Sequence, residues 1–359
     1  MEPLRIGLIG YGAAGRGIHA RLARETGQQV VAVVTRGRGD QVAADWPGAR
    51  VLPDVDSLLA DADDLDLVVV ASPTGEHAAH VRAALEADLP VLVDKPLATT
   101  RVQAAALVRL AQERGGRLTV FQNRRWDPEQ LTLRTLLDAG TLGRVHRFER
   151  RWERFRPQPQ HRWKEQDTVA GGLLLDLGAH LVDSAVQLFG PVRRVHAELR
   201  ALTTPALDDV FLALEHVPDA TGHHVVSHLW GGGLVGAPGP RTRVLGEHGA
   251  YLVTSFEGEP TPFAVLDDAQ EAGRRPGEPV HEGWLVRGAQ RTAVPRAPGG
   301  HGDLYRAVQA WLRGAGPLPV DPADAVATAR VLDAARVAAD TGVAQLLDAP
   351  GPVDDAPAR

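Results

Sequence analysis

The chain of 359 residues contains no cysteine. That excludes disulfides, thiolate metal sites and thiol nucleophiles. No apolar run approaches the ~20 residues of a membrane span. Nothing resembling a basic n-region and long apolar h-region precedes the first strand-like run, so no signal peptide is read and a cytoplasmic protein is expected. Neither sign of charge dominates: 39 Lys and Arg stand against 45 Asp and Glu, mixed along the chain, for a net charge of −6. No electrostatic feature therefore points to nucleic acid or an anionic membrane as a partner. There is no H-E-x-x-H and no paired-carboxylate motif, and His77 and His80 of "HAAH" have no third ligand near them, so no metal is expected. Lysine is nearly missing: of the 39 basic residues only Lys95 and Lys164 are not arginine. Lysine is a compact point donor where arginine is a planar fork. Lys164 alone reads as chance; for Lys95 the neighbourhood decides.

A length of 359 residues suggests two domains. In the first third, apolar runs at 4–10, 29–35, 65–72, 90–95 and 117–122 alternate with helix-like stretches that include 13–26, 76–87 and 101–114. Strands apolar on both faces, alternating with helices, imply a doubly wound parallel α/β sheet, placed at 1–122. From 123 to 346 the texture is that of an α+β domain. Runs at 145–155, 192–202, 209–217, 223–232, 242–255 and 283–294 alternate polar and apolar residues, as strands of a large, mainly antiparallel sheet do. Helices are expected at 129–139, 172–189, 303–313 and 322–341. The Pro- and Asp-rich tail, 347–359, is expected to be disordered.

"GLIGYGAAGRG" places Gly10, Gly12 and Gly15 in G-x-G-x-x-G spacing after an apolar strand and at the opening of a helix. Gly10 permits a tight turn, Gly12 lets the backbone approach a pyrophosphate, and Gly15 lets helix pack on strand. With Tyr11, Ala13 and Ala14 they form a phosphate-binding turn whose helix end supplies N–H groups and a positive dipole. An NAD site usually has an acid at the end of the second strand. Here Thr35 and Arg36 stand there, followed by Arg38, and Asp40 comes too late. Hydroxyl plus guanidinium suits a 2′-phosphate, so NADP(H) is favoured. The alternative is a permissive ribose site with solvated arginines, which leaves NAD(H) possible.

Lys95 follows a run expected to be the fifth strand, and open α/β sheets bind ligands outside the carboxyl ends of their strands. Pro96 after it fixes the next φ and admits a cis bond. In "GGLLLDLGAHLVDSAVQLFG" Asp176, His180, Asp183 and Gln187 make one narrow polar stripe on an otherwise apolar helix. An Asp one turn before a His can orient the ring and raise its basicity. Taken alone, the stripe fits equally well a solvent face.

Together these features resemble the Gfo/Idh/MocA oxidoreductases, named for glucose-fructose oxidoreductase and inositol dehydrogenase. The glycine turn matches. "ASPTGEHA" (71–78) is similar to the family's proline-and-histidine turn, with Ser72, Pro73, Thr74 and His77 on the cofactor side, while His80 reads as surface. "DKP" (94–96) is similar to its Glu-Lys-Pro signature, with Asp94 where Glu is usual. That departure implies a shorter supporting contact rather than lost activity. "GGLLLDLGAHLVD" is similar to its G-G-x-x-x-D-x-G-x-H segment. The similarity runs from residue 4 to about 346. "FQNRRWD", "RFRP…HRWKEQ" and "DLGAHLVDSAVQLFGPV" resemble a subgroup of NADP-linked inositol and sugar dehydrogenases.

The resemblance implies a Rossmann domain plus an open-faced antiparallel sheet, whose exposed face forms homodimer or homotetramer contacts. It implies a catalytic trio of Lys95, Asp176 and His180. Lys95, Asp94 and Pro96 would also serve the cofactor. Trp163 would approach the nicotinamide, and Asn123 would lie near the reacting centre. The substrate cleft would add Arg124, Trp126 and His161; Arg124 and Arg162 read equally well as packing or surface residues. The expected reaction is hydride transfer between nicotinamide and a secondary alcohol of a cyclic polyol or sugar. His180 takes the hydroxyl proton, Lys95 stabilises the alkoxide and Asp176 orients the pair. Two alternatives stay open: a reductase of a keto-deoxysugar or anhydro-sugar, and a catalytically silent NADP-sensing regulatory protein on the same scaffold.

Overall fold

A computed structural model describes residues 1–253 and 281–348. Six parallel strands form the first sheet: β1 (Arg5–Ile9), β2 (Gln29–Val34), β3 (Arg50–Leu52), β4 (Leu67–Val70), β5 (Val91–Asp94) and β6 (Leu118–Phe121), in the order β3-β2-β1-β4-β5-β6. The run "LVVV" of β4 is buried at every residue, as a sheet covered on both faces requires. The helices that cover it are α1 (Arg21–Glu25), α2 (Gly39–Asp45), α3 (Val55–Leu59), α4 (His77–Glu86) and α5 (Arg101–Glu113). Asp54 caps α3 by accepting from the Ser57 N–H at 2.8 Å, and the Thr100 hydroxyl caps α5 by accepting from the Gln103 N–H. The strand β3 is absent from the runs expected above. Its three residues lie at the sheet edge, partly exposed, and are too few to show a period.

Next in the chain come α6 (Pro128–Asp138), β7 (Val145–Glu153), α7 (Trp163–Gln166) and α8 (Ala179–Phe189). A widened π turn over Leu174–Gly178 leads into α8. The second sheet adds β8 (Val192–Arg200), β9 (Asp209–His216), β10 (Val226–Gly232), β11 (Thr242–Gly246), β12 (Gly249–Val253), β13 (His281–Arg287), β14 (Gln290–Pro295) and β15 (Gln345–Leu346). The order is β14-β13-β12-β11-β7-β10-β9-β8-β15, antiparallel except for the β10–β7 pair. The runs at 242–255 and 283–294 each contain a chain reversal: β11 pairs with β12, and β13 with β14. Alternation sets one face of the sheet against α8, with Phe148, Leu212, Leu214, Leu229 and Val244 fully buried.

The chain divides into two compact units. Met1–Asn123 and Gly300–Val326 belong to the first, and the second begins at Arg124. Assigning all of 123–346 to a second domain is therefore corrected at Asn123 and at 300–326. Within the first unit α9 (His301–Leu312) buries Leu304, Tyr305 and Val308. Tyr305 Oη lies 2.8 Å from His19 Nδ1, and Gln28 Nε2 donates to Gln309 Oε1 at 3.1 Å. These contacts join residues far apart in sequence, which periodicity cannot report. The long α10 (Pro322–Thr341) follows. Of the tail expected to be disordered, Leu347 is ordered, since its N–H donates to Arg193 O at 2.8 Å. Residues 349–359 lie outside the described residues. Among the described residues no helix is long and apolar enough to cross a membrane.

Candidate active site

In the first unit the strand order reverses between β1 and β4, the switch point where open α/β sheets bind ligands. The glycine turn sits there. Gly10 has φ +94°, and a Cβ on it would meet Ala71 O at 2.6 Å. A Cβ on Gly15 would meet Gly10 O at 2.0 Å, so the helix can begin this close to the strand only without a side chain. A Cβ on Gly12 would have nothing within 4 Å. Two glycines are thus required by the fold, and the third faces open space, as a backbone cradle for a pyrophosphate does. The residues fit a dinucleotide. Gly12→Ala is expected to leave Tm unchanged while weakening NADPH about tenfold or more. Gly15→Ala is expected to lower stability by about 1–3 kcal/mol as well. Calorimetry and thermal unfolding separate the two; equal losses of stability would contradict the cradle.

Thr35 and Arg36 stand at the end of β2, with Arg36 and Arg38 exposed. Ser72 follows β4, and its hydroxyl lies 2.9 Å from His80 Nδ1. His77 is buried, its ring nitrogens 2.8 Å from Pro96 O and 2.9 Å from Ser72 O. It therefore ties the loop after β4 to the loop after β5. Lys95 opens that second loop, immediately after β5, with a cis bond to Pro96. Asp94 Oδ1 accepts from the Lys95 backbone N–H at 2.8 Å, which the shorter carboxylate can reach. Within the same unit lies a buried aromatic cluster. His19 packs at 4.4 Å from Phe121, and burial pushes its imidazole down to about 4, so it is neutral. Asn123, also buried, places its amide 3.2 Å from His301 Nδ1.

In the second unit β7 runs antiparallel to the α8 helix in matched steps. Phe148 meets Phe189 at 5.2 Å, Arg150 donates to Ser184 Oγ, and Trp152 stands edge-on to His180 at 5.4 Å. Arg154 then comes within electrostatic reach of Asp176. Two strand residues advance about 6.7 Å and four to five helical residues about 6.0–7.5 Å, so strand and helix stay in step. His180 is 7 % exposed and Asp183 3 %. Asp183 is held by two bonds from Arg125, at 2.9 and 2.5 Å. Asp176 Oδ2 accepts from Lys164 Nζ at 2.5 Å.

Trp152 carries the guanidiniums of Arg124 and Arg241 over its ring, at 4.9 and 4.4 Å. Glu129 pairs with Arg241 at 3.2 Å and with Arg150 at 3.3 Å. Burial pushes Glu129 up, but Arg150 and Arg241 outweigh it and hold its carboxyl below the usual range. Arg150 also donates to Gln130 Oε1 at 2.7 Å and Thr242 Oγ1 at 2.9 Å. This network links α6, β7, β11 and α8 and fixes the His180 side of a pocket lined by Arg124, Asp127, Trp152 and Ser184.

Residues 4–122 match the model of an oxidoreductase family with an NAD-binding Rossmann fold, and residues 130–252 match the GFO/IDH/MocA C-terminal domain. The chain is 35 % identical to the Escherichia coli oxidoreductase YdgJ over 337 residues, covering 92 % of this chain and 95 % of YdgJ. The chain belongs to the GFO/IDH/MocA oxidoreductases. It is also 29 % identical to the Bacillus subtilis scyllo-inositol 2-dehydrogenase (NADP(+)) IolW, over 93 % of each chain. The solved structure of the oxidoreductase yvaA from Bacillus subtilis superposes with a TM-score of 0.84 at 28 % identity, covering 97 % of this chain and 99 % of that one.

In this GFO/IDH/MocA chain two side-chain expectations are corrected, those for His80 and Lys164. The Tyr11 ring is 1 % exposed and its hydroxyl donates to Asp45 Oδ2 at 2.9 Å, so Tyr11 contributes its backbone to the turn. His77 supports two loops from within the fold. His80 is half-buried and holds Ser72, and is not a surface residue. Arg162 pairs with Glu165 at 2.5 Å at the start of α7, where Trp163 is 45 % exposed. His161 has φ +53°, and Trp126 is half-buried at the end of the Asn123–Trp126 turn. Lys164 is not incidental, since it binds Asp176. Arg125, Trp152 and Arg154 join the surroundings of Asp176 and His180, and His301 those of Asn123, without having been expected from the sequence. For Trp152 and Arg154 a signal was present in the alternation of β7, which sets both on the Phe148 face.

Proposed function

We propose that this oxidoreductase transfers hydride reversibly between NADP(H) and a secondary alcohol of a cyclic polyol or sugar. The observation that carries this is the helix bearing Asp176 and His180 in successive turns, with Lys164 on the one and Trp152 against the other. The full-length likeness to IolW supports the substrate class. When bound, the nicotinamide cofactor supplies or accepts the hydride. Gly10, Gly12 and Gly15 would hold its pyrophosphate, and Thr35 and Arg36 its 2′-phosphate. In oxidation, His180 takes the hydroxyl proton and Lys95 donates a hydrogen bond to the oxygen as negative charge develops there. Asp176, fixed by Lys164, orients the hydroxyl for His180. Asn123 and Arg124 add polar donors suited to a polyhydroxylated ring.

The test is absorbance of the reduced cofactor against a panel of inositols, inososes and sugars, with NADP⁺ and NAD⁺ in parallel. Turnover on a cyclic polyol supports the reading. Cofactor binding with no turnover anywhere moves it to the sensor alternative. Arg36→Ala is expected to weaken NADPH about tenfold or more, in line with one lost charge-assisted contact, and NADH far less. Equal losses for both cofactors by calorimetry would overturn the NADP assignment.

A further inference from the structure

Lysine is kept at two positions among 39 basic residues, and the second of them, Lys164, serves Asp176. Its Nζ donates to Asp176 Oδ2 at 2.5 Å, one of the contacts that hold this carboxylate. The pair is reachable from solvent: 20 % of the lysine side chain and 26 % of the aspartate's are exposed. An ammonium has three hydrogens to donate and no lone pair. Asp176 takes one, and Lys164 Nζ has no other partner among the described residues. The backbone behind it is fixed. A Cβ on Gly171 would meet Lys164 O at 2.5 Å, so the turn carrying the lysine packs directly against the start of the helix carrying Asp176. The Gly171 N–H donates to Asp167 O at 3.0 Å, which closes that turn. Beside Lys164, Glu165 O accepts from the Ala206 N–H at 3.1 Å. The loop supplying Ala206 is gathered on the buried Asp208, whose carboxylate accepts from the Leu202 and Thr203 N–H groups at 2.6 and 2.7 Å. An ammonium on so anchored a backbone has a defined reach.

Two hydrogens of the ammonium are thus left to a molecule that reaches Asp176 from solvent. We infer that Lys164 is a specificity-determining residue, donating to the oxygen vicinal to the reacting hydroxyl, so that the substrate must carry a 1,2-diol and the product is an α-hydroxy ketone. The spacing fits: neighbouring oxygens of a gauche diol stand about a hydrogen-bond length apart, as Asp176 Oδ2 and Lys164 Nζ do. Asp176 can then face the reacting hydroxyl while Lys164 faces its neighbour. A trans-diaxial diol, whose oxygens point apart, does not fit. Hydride leaves the carbinol carbon for the nicotinamide, the hydroxyl proton goes to His180, and the C=O bond forms; the vicinal C–O bond is untouched. A compact ammonium suits this double contact, where a planar guanidinium would lay both its prongs on the carboxylate. A site that hydrogen-bonds a substrate hydroxyl discriminates against the analogue lacking it far more than an apolar pocket does. The inference rests on Asp176 and His180 marking the reacting carbon, as proposed above.

The experiment measures kcat/KM with NADPH for two ketones, in which the carbonyl fixes the reacting carbon. They are scyllo-inosose, with a hydroxyl on each side of the carbonyl, and 3,4,5-trihydroxycyclohexanone, with none. The wild type is expected to favour scyllo-inosose about ten- to a hundredfold, the worth of a hydrogen bond to a charged group. Lys164→Met is expected to erase most of that preference while slowing scyllo-inosose, and Lys164→Arg to keep part of it. Slowing of both ketones by one factor in Lys164→Met would make the lysine only a prop for Asp176 and overturn the inference. So would a wild type that uses both ketones alike. If neither ketone is reduced, the dehydrogenase reading fails, and calorimetry of the two ketones on the NADPH-bound protein decides the vicinal contact alone. Binding of scyllo-inosose about tenfold tighter, with the difference lost in Lys164→Met, sustains it; equal binding, or none, ends it.

Discussion

Replacing Lys95 by arginine is expected to lower kcat by about two to three orders of magnitude, the usual cost of losing a donor aimed at developing negative charge. NADPH affinity should change little, because the glycine cradle and the β2 end that would hold the dinucleotide's phosphates are separate features of the same unit. Charge is conserved in this substitution; shape is not. Lys95 leaves the sheet directly after β5, between Asp94, which accepts its backbone N–H, and the Pro96 carbonyl held by His77. A side chain starting from so fixed a point has a limited reach, and a guanidinium is longer and planar where an ammonium is compact. Turnover within a few-fold of wild type would remove the reason for keeping a lysine here in a chain whose basic residues, Lys164 apart, are otherwise arginine.

His180→Asn is expected to lower kcat by about 10²–10⁴, the range for a lost general base. The substitution keeps a polar group beside Trp152, so stability should be largely kept. In the oxidation direction the loss should fall on kcat rather than on NADP⁺ affinity, since the hydroxyl proton has lost its acceptor. A His180→Asn variant that kept wild-type turnover would assign proton transfer elsewhere. Because Trp152 touches His180 while Arg124 and Arg241 lie over the indole, the ring is held by packing as well as by chemistry.

The parallel sheet was legible because burial on both faces writes continuous apolar runs, and the glycine turn because Gly10 and Gly15 leave no room for a side chain. The helix leading to Phe189 was legible from its narrow stripe. Side-chain partnerships were not. Nothing local marks Lys164 as the partner of Asp176, twelve residues on in the chain, or Arg125 as the partner of Asp183. Tyr11 looked like part of the turn, and only its contact with Asp45 shows the ring turned into the core. Residues 300–326 looked continuous with the second domain, because packing of α9 through His19 and Tyr305 joins segments far apart in sequence.

The central claim is direct hydride transfer from a substrate carbon. The measurement is to incubate the protein with NADP⁺ and a cyclic polyol deuterated at its carbinol carbons, then to weigh the reduced cofactor by mass spectrometry. One deuterium gained per cofactor reduced, with a slowed rate relative to the protiated polyol and no transfer in Lys95→Arg on the same timescale, is the predicted result. Reduced cofactor without deuterium, or none formed from any polyol to which the protein binds, would contradict it.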